Sequence, residues 1–530
     1  MAKRTVISFL LLCILSASIV FRIAYISDVY SVDAAEQKSA RVMNVASTRG
    51  MIYDRNMIPL VNSVTHKALF INPTDSAVKY LASNLSRDEY IKISQKLNKG
   101  IPFIYMCDSY DGIHDDITEL SIYDRYEENP LAVHLTGYTD YEGKGVSGIE
   151  KDFQELLSEY SGSLSVRYNV SSSGRMLKGL GCEVVSDNYL SSGGVVLTID
   201  KEIQRVCENA MEQNGLKKGA VVVLDVSSGE ILALASFPEY DINNLSASLR
   251  SDDSPFLNRA LEAYPVGSVF KPVVAVAALE QGVSPDTEFF CGGKVNISGI
   301  DFNCHEREGH GMLNMYEAMA VSCNSYFIQL GQKVGSDNIL TTASSLGFGH
   351  EYSLSDTIIN KSGNIPHIDS AASLANLSFG QGSLLATPLQ VASLYRAFAN
   401  SGYYGEAYLF KNMIDENGKV FAYYEKEPQT KVIPDNINKI INEMLRQTVF
   451  QGSGINAKPM CFDAAGKTAT AETGKIINGN KMVHTWFSGY FPAENPEYVI
   501  TVFREDGNYS STDCAPVFRD IADGITGLKY

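Results

Sequence analysis

The pattern of hydrophobic and polar positions changes character along the chain. At the N-terminus, Lys3 and Arg4 precede an uncharged run over 5–21, closed by Arg22 and resumed over 23–26. With Arg22 snorkelling, the run approaches the ~20 apolar residues that cross a bilayer and exceeds most signal-peptide cores. It therefore predicts an uncleaved transmembrane anchor. A cleaved signal is the alternative, for which Ala34 and Ala35 offer only a weak small-residue site. The basic pair ahead of the run predicts a cytoplasmic N-terminus and a chain otherwise outside the membrane.

Beyond the anchor, short mixed segments alternate with turn residues and end in the polar stretches 171–174 and 191–194, where a domain boundary is expected. The run 195–199 then reads as a strand. Asp200 is placed to cap a helix whose Ile203, Val206, Cys207, Ala210 and Met211 share one face before Gly215 stops it. Segments 221–226 and 230–235 are β-rich and joined by Ser227, Ser228 and Gly229, a hairpin signal. Near the C-terminus, 467–472, a turn at Asn478 and Gly479, 482–491 and 498–503 read as an antiparallel meander, followed by Val517, Ile521 and Ile525 at helical spacing. Strands from both ends are expected to share one sheet flanked by terminal helices, with the helical segments between 268 and 400 forming a second lobe.

A length of 530 residues calls for at least two domains. The formal charge of -17, from 44 basic and 61 acidic residues, leaves no basic stripe and argues against a nucleic-acid partner. Nine cysteines occur, one of them, Cys13, inside the anchor. Among the others, only Cys291 and Cys304 lie close together in a Gly-rich, hairpin-shaped stretch, which makes them a candidate disulfide. No CxxC spacing is present, and neither a metal nor any other cofactor is expected. His305, Glu306 and His310 resemble a zincin motif only loosely and read as loop residues. Gly143, Gly145 and Gly148 match a dinucleotide fingerprint by letter, but no apolar strand precedes them. Cys323, without a paired histidine, reads as a small buried hydrophobe.

A serine nucleophile working without histidine needs another base, and a lysine three residues later on the same helix supplies one on the same face. Ser268-Val269-Phe270-Lys271 has that spacing, with Gly267 before it, Pro272 tolerable in the first turn and an apolar helix over 273–279. Ser76-Ala77-Val78-Lys79 has the spacing without that setting and reads as a surface element. Ser-x-x-Lys, Ser-Asp-Asn and Lys-Thr-Gly occur together in penicillin-binding proteins and class A β-lactamases. Literal Ser-Asp-Asn occurs at 186–188 and 336–338; the first precedes the nucleophile and the second follows Gly335 as a helix-start signal. Ser322-Cys323-Asn324 is preferred, because polar side chains in its apolar surroundings need a reason to be there. For the third element, Lys467-Thr468-Ala469 after Gly466 opens a strand able to pair with an extended substrate, whereas Lys361-Ser362-Gly363 sits between asparagines as a turn.

With these motifs in order, the chain resembles the class B penicillin-binding proteins along nearly its whole length. Arg49 to Asn56 is similar to that family's signature beyond the membrane, and 134–138 with 145–150 to its pedestal, or dimerisation, domain. Leu197 to Asp200 with Gln204, Asn258 to Ala260, Gly380 to Gly382 with Thr387 and Pro388, and Trp486, Phe487 and Gly489 match further positions. The resemblance implies a multidomain α+β chain: an anchor over 1–26, an elongated mixed pedestal over 27–194, and over 195–530 a transpeptidase domain with an antiparallel sheet flanked by helices and a helical lobe. It implies that Ser268 attacks the carbonyl between the two terminal D-alanines of a peptidoglycan stem peptide while Lys271 takes the proton, its pKa lowered by burial and by Lys467. Ser322 would relay a proton to the leaving amine, and Asn324 would hold Lys271 and the substrate amide. Lys467 and Thr468 would bind the terminal carboxylate, and the N–H groups of Ser268 and Thr470 the oxyanion. β-Lactams would acylate the same serine. A membrane glycan polymerase and division, elongation or sporulation components are the implied partners. Ala469 stands where glycine is usual, and its methyl is expected to restrict the substrate or slow acylation. The rival readings are a carboxypeptidase or β-lactamase-type hydrolase and a non-catalytic penicillin-binding scaffold or sensor.

Overall fold

The computed structural model describes residues 2–529 apart from Asp108, Ser109, Asp111, Ser172, 178–180 and Asn478. Of the predicted turns, those at 171–174 and 478–479 therefore have Ser172 and Asn478 outside the described residues. The chain divides into two compact units.

The smaller unit comprises Met1–Gly50, Val61–Glu127 and Tyr160–Ser191. It opens with helix α1 (Ala2–Ser39), whose stretch Arg4–Ile26 has a mean hydropathy of 2.5 and no buried part. An apolar helix whose spanning stretch is exposed throughout fits a single-pass membrane anchor. Behind it, Ala40–Thr48, Gly162–Asn169 and Cys182–Asp187 form one antiparallel sheet, and Val64–Ile71 pairs with Phe103–Met106 and Ile117–Asp124 in another. Strand alternation sends Ala68, Phe70, Leu120 and Ile122 to one core and Leu69, Ile71 and Ile117 to a second. That second core is closed by Ala77, Leu81, Ile93 and Leu97 of two helices capped by Thr74 and Ser86.

The larger unit comprises Met51–Leu60, Glu128–Glu159 and Ser192–Tyr530. Its main sheet contains β1 (Gly219–Asp225), β2 (Ile231–Phe237), β3 (Ala465–Ile477), β4 (Asn480–Phe491) and β5 (Tyr498–Gly507), in the order β2-β1-β5-β4-β3. Strands from both ends of the region thus share one antiparallel sheet, as the pattern predicts. β1 is buried at every position but its last, the mark of a strand covered on both faces. β3 lies at the sheet edge, with one side paired to β4 and the other open.

Two helices cover one face. α2 (Lys201–Gln213) starts at Asp200, whose carboxylate accepts from the N–H groups of Glu202 and Ile203. Its Ile203, Cys207, Ala210 and Met211 meet Val517, Phe518, Ile521 and Ile525 of the C-terminal helix Ala515–Lys529, over Val221, Val223, Phe487 and Ile500. On β1, β4 and β5 also packs the buried helix Pro388–Ala399, begun by a capping box of Thr387 and Gln390. The helical lobe includes α3 (Lys271–Glu280) and α4 (Asn324–Val334), with Ala371–Ser378 against α4 and Asp435–Gln451 against both α3 and β3.

One strand departs from expectation. Gly194–Leu197 stays out of the main sheet and forms a smaller one, with Met51–Tyr53 on one side and Phe410–Ile414, then Val420–Tyr423, on the other. The reason is the segment after Gly50, whose backbone pairs in parallel with 194–196. Asp54, fully buried, then accepts from the N–H groups of Asn56, Ile58 and Lys201. These bonds, and those of Asp152 to Thr357, count 51–60 and 128–159 with the larger unit rather than with the rest of 27–194.

Candidate active site

Gly267–Phe270 forms a 3-10 turn that runs directly into α3, with Pro272 in the first helical turn as its missing N–H allows. Gly267 has a φ of 62°, donates its N–H to Gly380 O at 2.9 Å, and lies against β3. A Cβ there would stand 3.2 Å from Ala471 Cβ and 3.3 Å from Ala469 Cβ. The turn is pinched between the edge strand and the loop at Gly380, so glycine is required. Half-buried Ser268 follows it, while Val269 and Phe270 fill the interior.

Lys271 is fully buried, and its amine reaches the 322–324 segment. Nζ donates to Ser322 O at 2.6 Å and Asn324 Oδ1 at 2.8 Å, lies 3.2 Å from Ser322 Oγ, and sits 5.4 Å from the Phe327 ring centroid. Burial pushes its pKa down to about 8, against an upward pull from the Cys323 and Cys304 thiols. A neutral amine has two N–H donors and one lone pair. The two carbonyl acceptors use the donors, which leaves the lone pair for a hydroxyl. Ser322 holds a φ of 58°, a left-handed conformation that costs a non-glycine residue about 1 kcal/mol and concentrates at functional sites. Asn324 is the first residue of α4, behind an N-cap made by Cys323.

From the third segment, Lys467 and Thr468 are buried on β3, and Thr470 is exposed on the same strand. Lys467 Nζ donates to Thr468 O at 3.1 Å and lies 3.4 Å from both Thr468 Oγ1 and Ser453 Oγ. The two hydroxyls are 2.9 Å apart. Lys467 is held well below the usual lysine range, first by burial and then by the charge of Lys271. Burial is what lowers Lys271; the further lowering by Lys467 that the resemblance implies is not seen. Ser453 was not legible in the sequence, where it is one serine between two glycines. Thr470 Oγ1 lies 3.4 Å from Ser510 Oγ.

The set-aside motifs lie elsewhere. Ser76 and Lys79 are on Asp75–Asn84 in the smaller unit, Ser336 opens a helix, and Lys361 pairs with Glu262 at 2.7 Å. Ala469 is only 2% exposed, and its methyl lies against Gly267. Trp486, opposite it on β4, is fully buried and donates Nε1–H to Pro265 O at 2.9 Å.

The candidate Cys291–Cys304 bridge is not formed, and both cysteines are free. Sγ of Cys291, Cys304 and Cys323 and a ring nitrogen of His310 all lie within 4.8 Å of one another. The histidine read as a loop residue and the cysteine read as a small hydrophobe belong to one cluster. No CxxC pair signalled it, because its residues come from separate turns.

A buried lysine following a serine turn, a Ser-x-Asn segment at its amine, and a Lys-Thr edge strand beside both define a penicillin-recognising serine acyltransferase fold. The family model for the penicillin binding protein transpeptidase domain matches residues 219–523, and the chain belongs to the class B penicillin-binding proteins. It is 28% identical to the peptidoglycan D,D-transpeptidase FtsI of Escherichia coli (strain K12), over 93% of this chain and 86% of that one. With stage V sporulation protein D of Bacillus subtilis (strain 168) it shares 26% identity, over 92% and 79%. Among solved structures, penicillin-binding protein 2 of Helicobacter pylori superposes with a TM-score of 0.68 at 21% identity, covering 92% of this chain and 100% of that one.

Proposed function

We propose that this protein is a serine D,D-transpeptidase that cross-links peptidoglycan stem peptides through an acyl-enzyme on Ser268, and a target of β-lactams. The observation that carries the reading is the Lys271 amine, buried, depressed to about 8 and bonded to Ser322 and Asn324. The neutral amine takes the proton of the Ser268 hydroxyl as its oxygen attacks the carbonyl between the two D-alanines. The Ser322 hydroxyl, beside that amine, passes a proton to the departing D-alanine nitrogen. Asn324 keeps Lys271 in place and receives the substrate amide.

The open side of β3 supports binding of the stem peptide as an added strand. Lys467 and Thr468, with Ser453 beside them, are the donors for the terminal carboxylate. The N–H groups of Ser268 and Thr470 hold the oxyanion, each donor being worth roughly 3 kcal/mol at the transition state. An amine of a neighbouring stem peptide then attacks the ester carbonyl, releasing Ser268 and completing the cross-link.

In this reading the larger unit is the transpeptidase domain and the smaller one the pedestal. Lys3 and Arg4, ahead of the apolar stretch of α1, keep the N-terminus cytoplasmic and put the chain beyond the anchor outside the membrane. A membrane glycan polymerase working in division, elongation or sporulation is the partner that fits. The test is turnover of a donor peptide ending in two D-alanines with an acceptor amine present. Amide product supports transpeptidation, whereas free acid alone makes the protein a hydrolase and no turnover makes it a scaffold.

A further inference from the structure

One row of side chains crosses the main sheet at the level of Thr470. Thr470 of β3 pairs with Thr485 of β4, and Thr485 with Arg504 of β5, so the three side chains stand on one face. A single helical turn, Ser510–Asp513, lies over that row. Ser510 and Asp513 are three residues apart and project from the same side of the turn. The Thr470 hydroxyl donates to Ser510 Oγ at 3.4 Å. Asp513 Oδ2 accepts from Thr485 Oγ1 at 3.4 Å, and its Oδ1 lies 4.0 Å from Arg504 Nη1. The two side chains of the turn therefore take hold of all three strands.

The turn is itself braced. The Asn508 N–H donates to Asp513 Oδ2 at 2.6 Å, the N–H groups of Thr512 and Asp513 return to Tyr509 O, and Asn456 Nδ2 donates to Ser511 O at 2.8 Å. A Cβ on Gly507 would stand 2.4 Å from Thr485 Oγ1 and 2.8 Å from Asp513 Oδ2, so glycine there lets the carboxylate reach the sheet. Ser510 and Asp513 are buried, while Tyr509 beside them is exposed. A buried hydroxyl and a buried carboxylate need partners, and the row supplies them. β3, in turn, has no neighbouring strand on its open side to fix its outer peptide units. At Thr470 the side-chain bond to Ser510 stands in for that missing ladder.

We infer that Ser510 and Asp513 are positioning residues for acylation: acting through the Thr470 hydroxyl, they keep the Thr470 N–H aimed at the oxyanion. The inference rests on the oxyanion role given to Thr470 above. Ser510 acts on Thr470 directly, and Asp513 sets where Ser510 stands. A hydrogen bond weakens steeply as it bends, so a donor on a strand edge is effective only while its peptide unit is held in place. The negative oxygen is present in the transition state and absent from the initial complex. Loss of the buttress therefore lowers the limiting acylation rate, k2, and leaves the dissociation constant of the initial complex, K, unchanged.

The test uses the full chain in detergent, with k2 and K for benzylpenicillin separated by rapid-quench kinetics. Ser510→Ala is expected to lower k2 by about 3- to 10-fold with K within about 2-fold of wild type, and Asp513→Ala to lower k2 at least as far. A boronic acid bearing the benzylpenicillin acyl side chain, which forms a tetrahedral adduct with the serine, is expected to lose affinity for Ser510→Ala by the same factor as k2. Purely structural damage lowers the fraction of protein that titrates with penicillin and leaves k2 of that fraction as it was, which would overturn the inference. Where Asp513→Ala does not fold, Ser510→Ala alone decides. An unchanged k2 in Ser510→Ala, with Ser268 acylated as before, also overturns the inference and leaves the proposed function standing. A wild-type protein that is not acylated at Ser268 overturns the proposed function and this inference with it.

Discussion

Ala469 and Gly267 face each other between the edge strand and the nucleophile turn: the methyl of one lies 3.3 Å from where a Cβ on the other would stand. A methyl at 469 is therefore buried against the turn rather than exposed where a peptide would lie. Ala469→Gly is expected to change the penicillin acylation rate by less than about 3-fold and to lower stability by about 0.5–1 kcal/mol through the freed strand backbone. Gly267→Ala, by contrast, meets two methyls at a positive φ and is expected to cost about 1–3 kcal/mol and most of the acylation. Denaturant unfolding and stopped-flow acylation of the two variants separate these outcomes.

Lys271→Ala removes the proposed base and is expected to slow acylation by about 10²–10⁴-fold. It also leaves Ser322 O and Asn324 Oδ1 without their donor, at a cost of about 1–3 kcal/mol where no water enters. Acylation kinetics beside a thermal melt check whether the rate falls further than the loss of folded protein explains.

The pH profile follows from the depressed lysine. Its neutral form is the base, so log acylation rate is expected to rise with unit slope below about 8 and level above it. The stability effect has its own sign. From about 8 to the ordinary value of 10.5, the unfolded chain binds the proton that the folded chain does not, so this group's cost shrinks as pH rises through that window. Asn324→Asp puts a carboxylate at the 2.8 Å contact and is expected to move the kinetic midpoint upward by about 1–3 units. A chromogenic β-lactam followed across pH reads both midpoints.

Arg259 is 2% exposed and donates to Glu505 at 3.1 Å, to Ser254 O and to Asp253 O. Arg259→Ala strands a carboxylate with little water and is expected to cost about 3–5 kcal/mol. Urea unfolding measures it.

The main sheet was readable because β1 and β5 carry continuous apolar runs and the Ser227–Gly229 turn separates β1 from β2. Asp200 was readable as a cap because its carboxylate accepts from the N–H groups two and three residues on, a local pattern, while its bond from Asn56 Nδ2 was not. Lys271, Ser322 and Asn324 were readable through spacing and apolar context, since buried polar side chains need partners. The parallel pairing of Met51–Tyr53 with 194–196 was not, because so short a strand has no period and its partner lies far along the chain. The Cys–His cluster was missed for the same reason: each of its residues sits at the end of a different strand or helix. Strand alternation puts Ala469 on the face of Ala471, but that Gly267 packs on this face is a contact between distant segments that alternation cannot supply.

Intact-protein mass spectrometry after exposure to benzylpenicillin tests the central claim most directly. A single penicilloyl adduct that maps to Ser268 and vanishes in Ser268→Ala is the expected result. An unmodified wild-type protein, or an adduct that persists in Ser268→Ala, contradicts it.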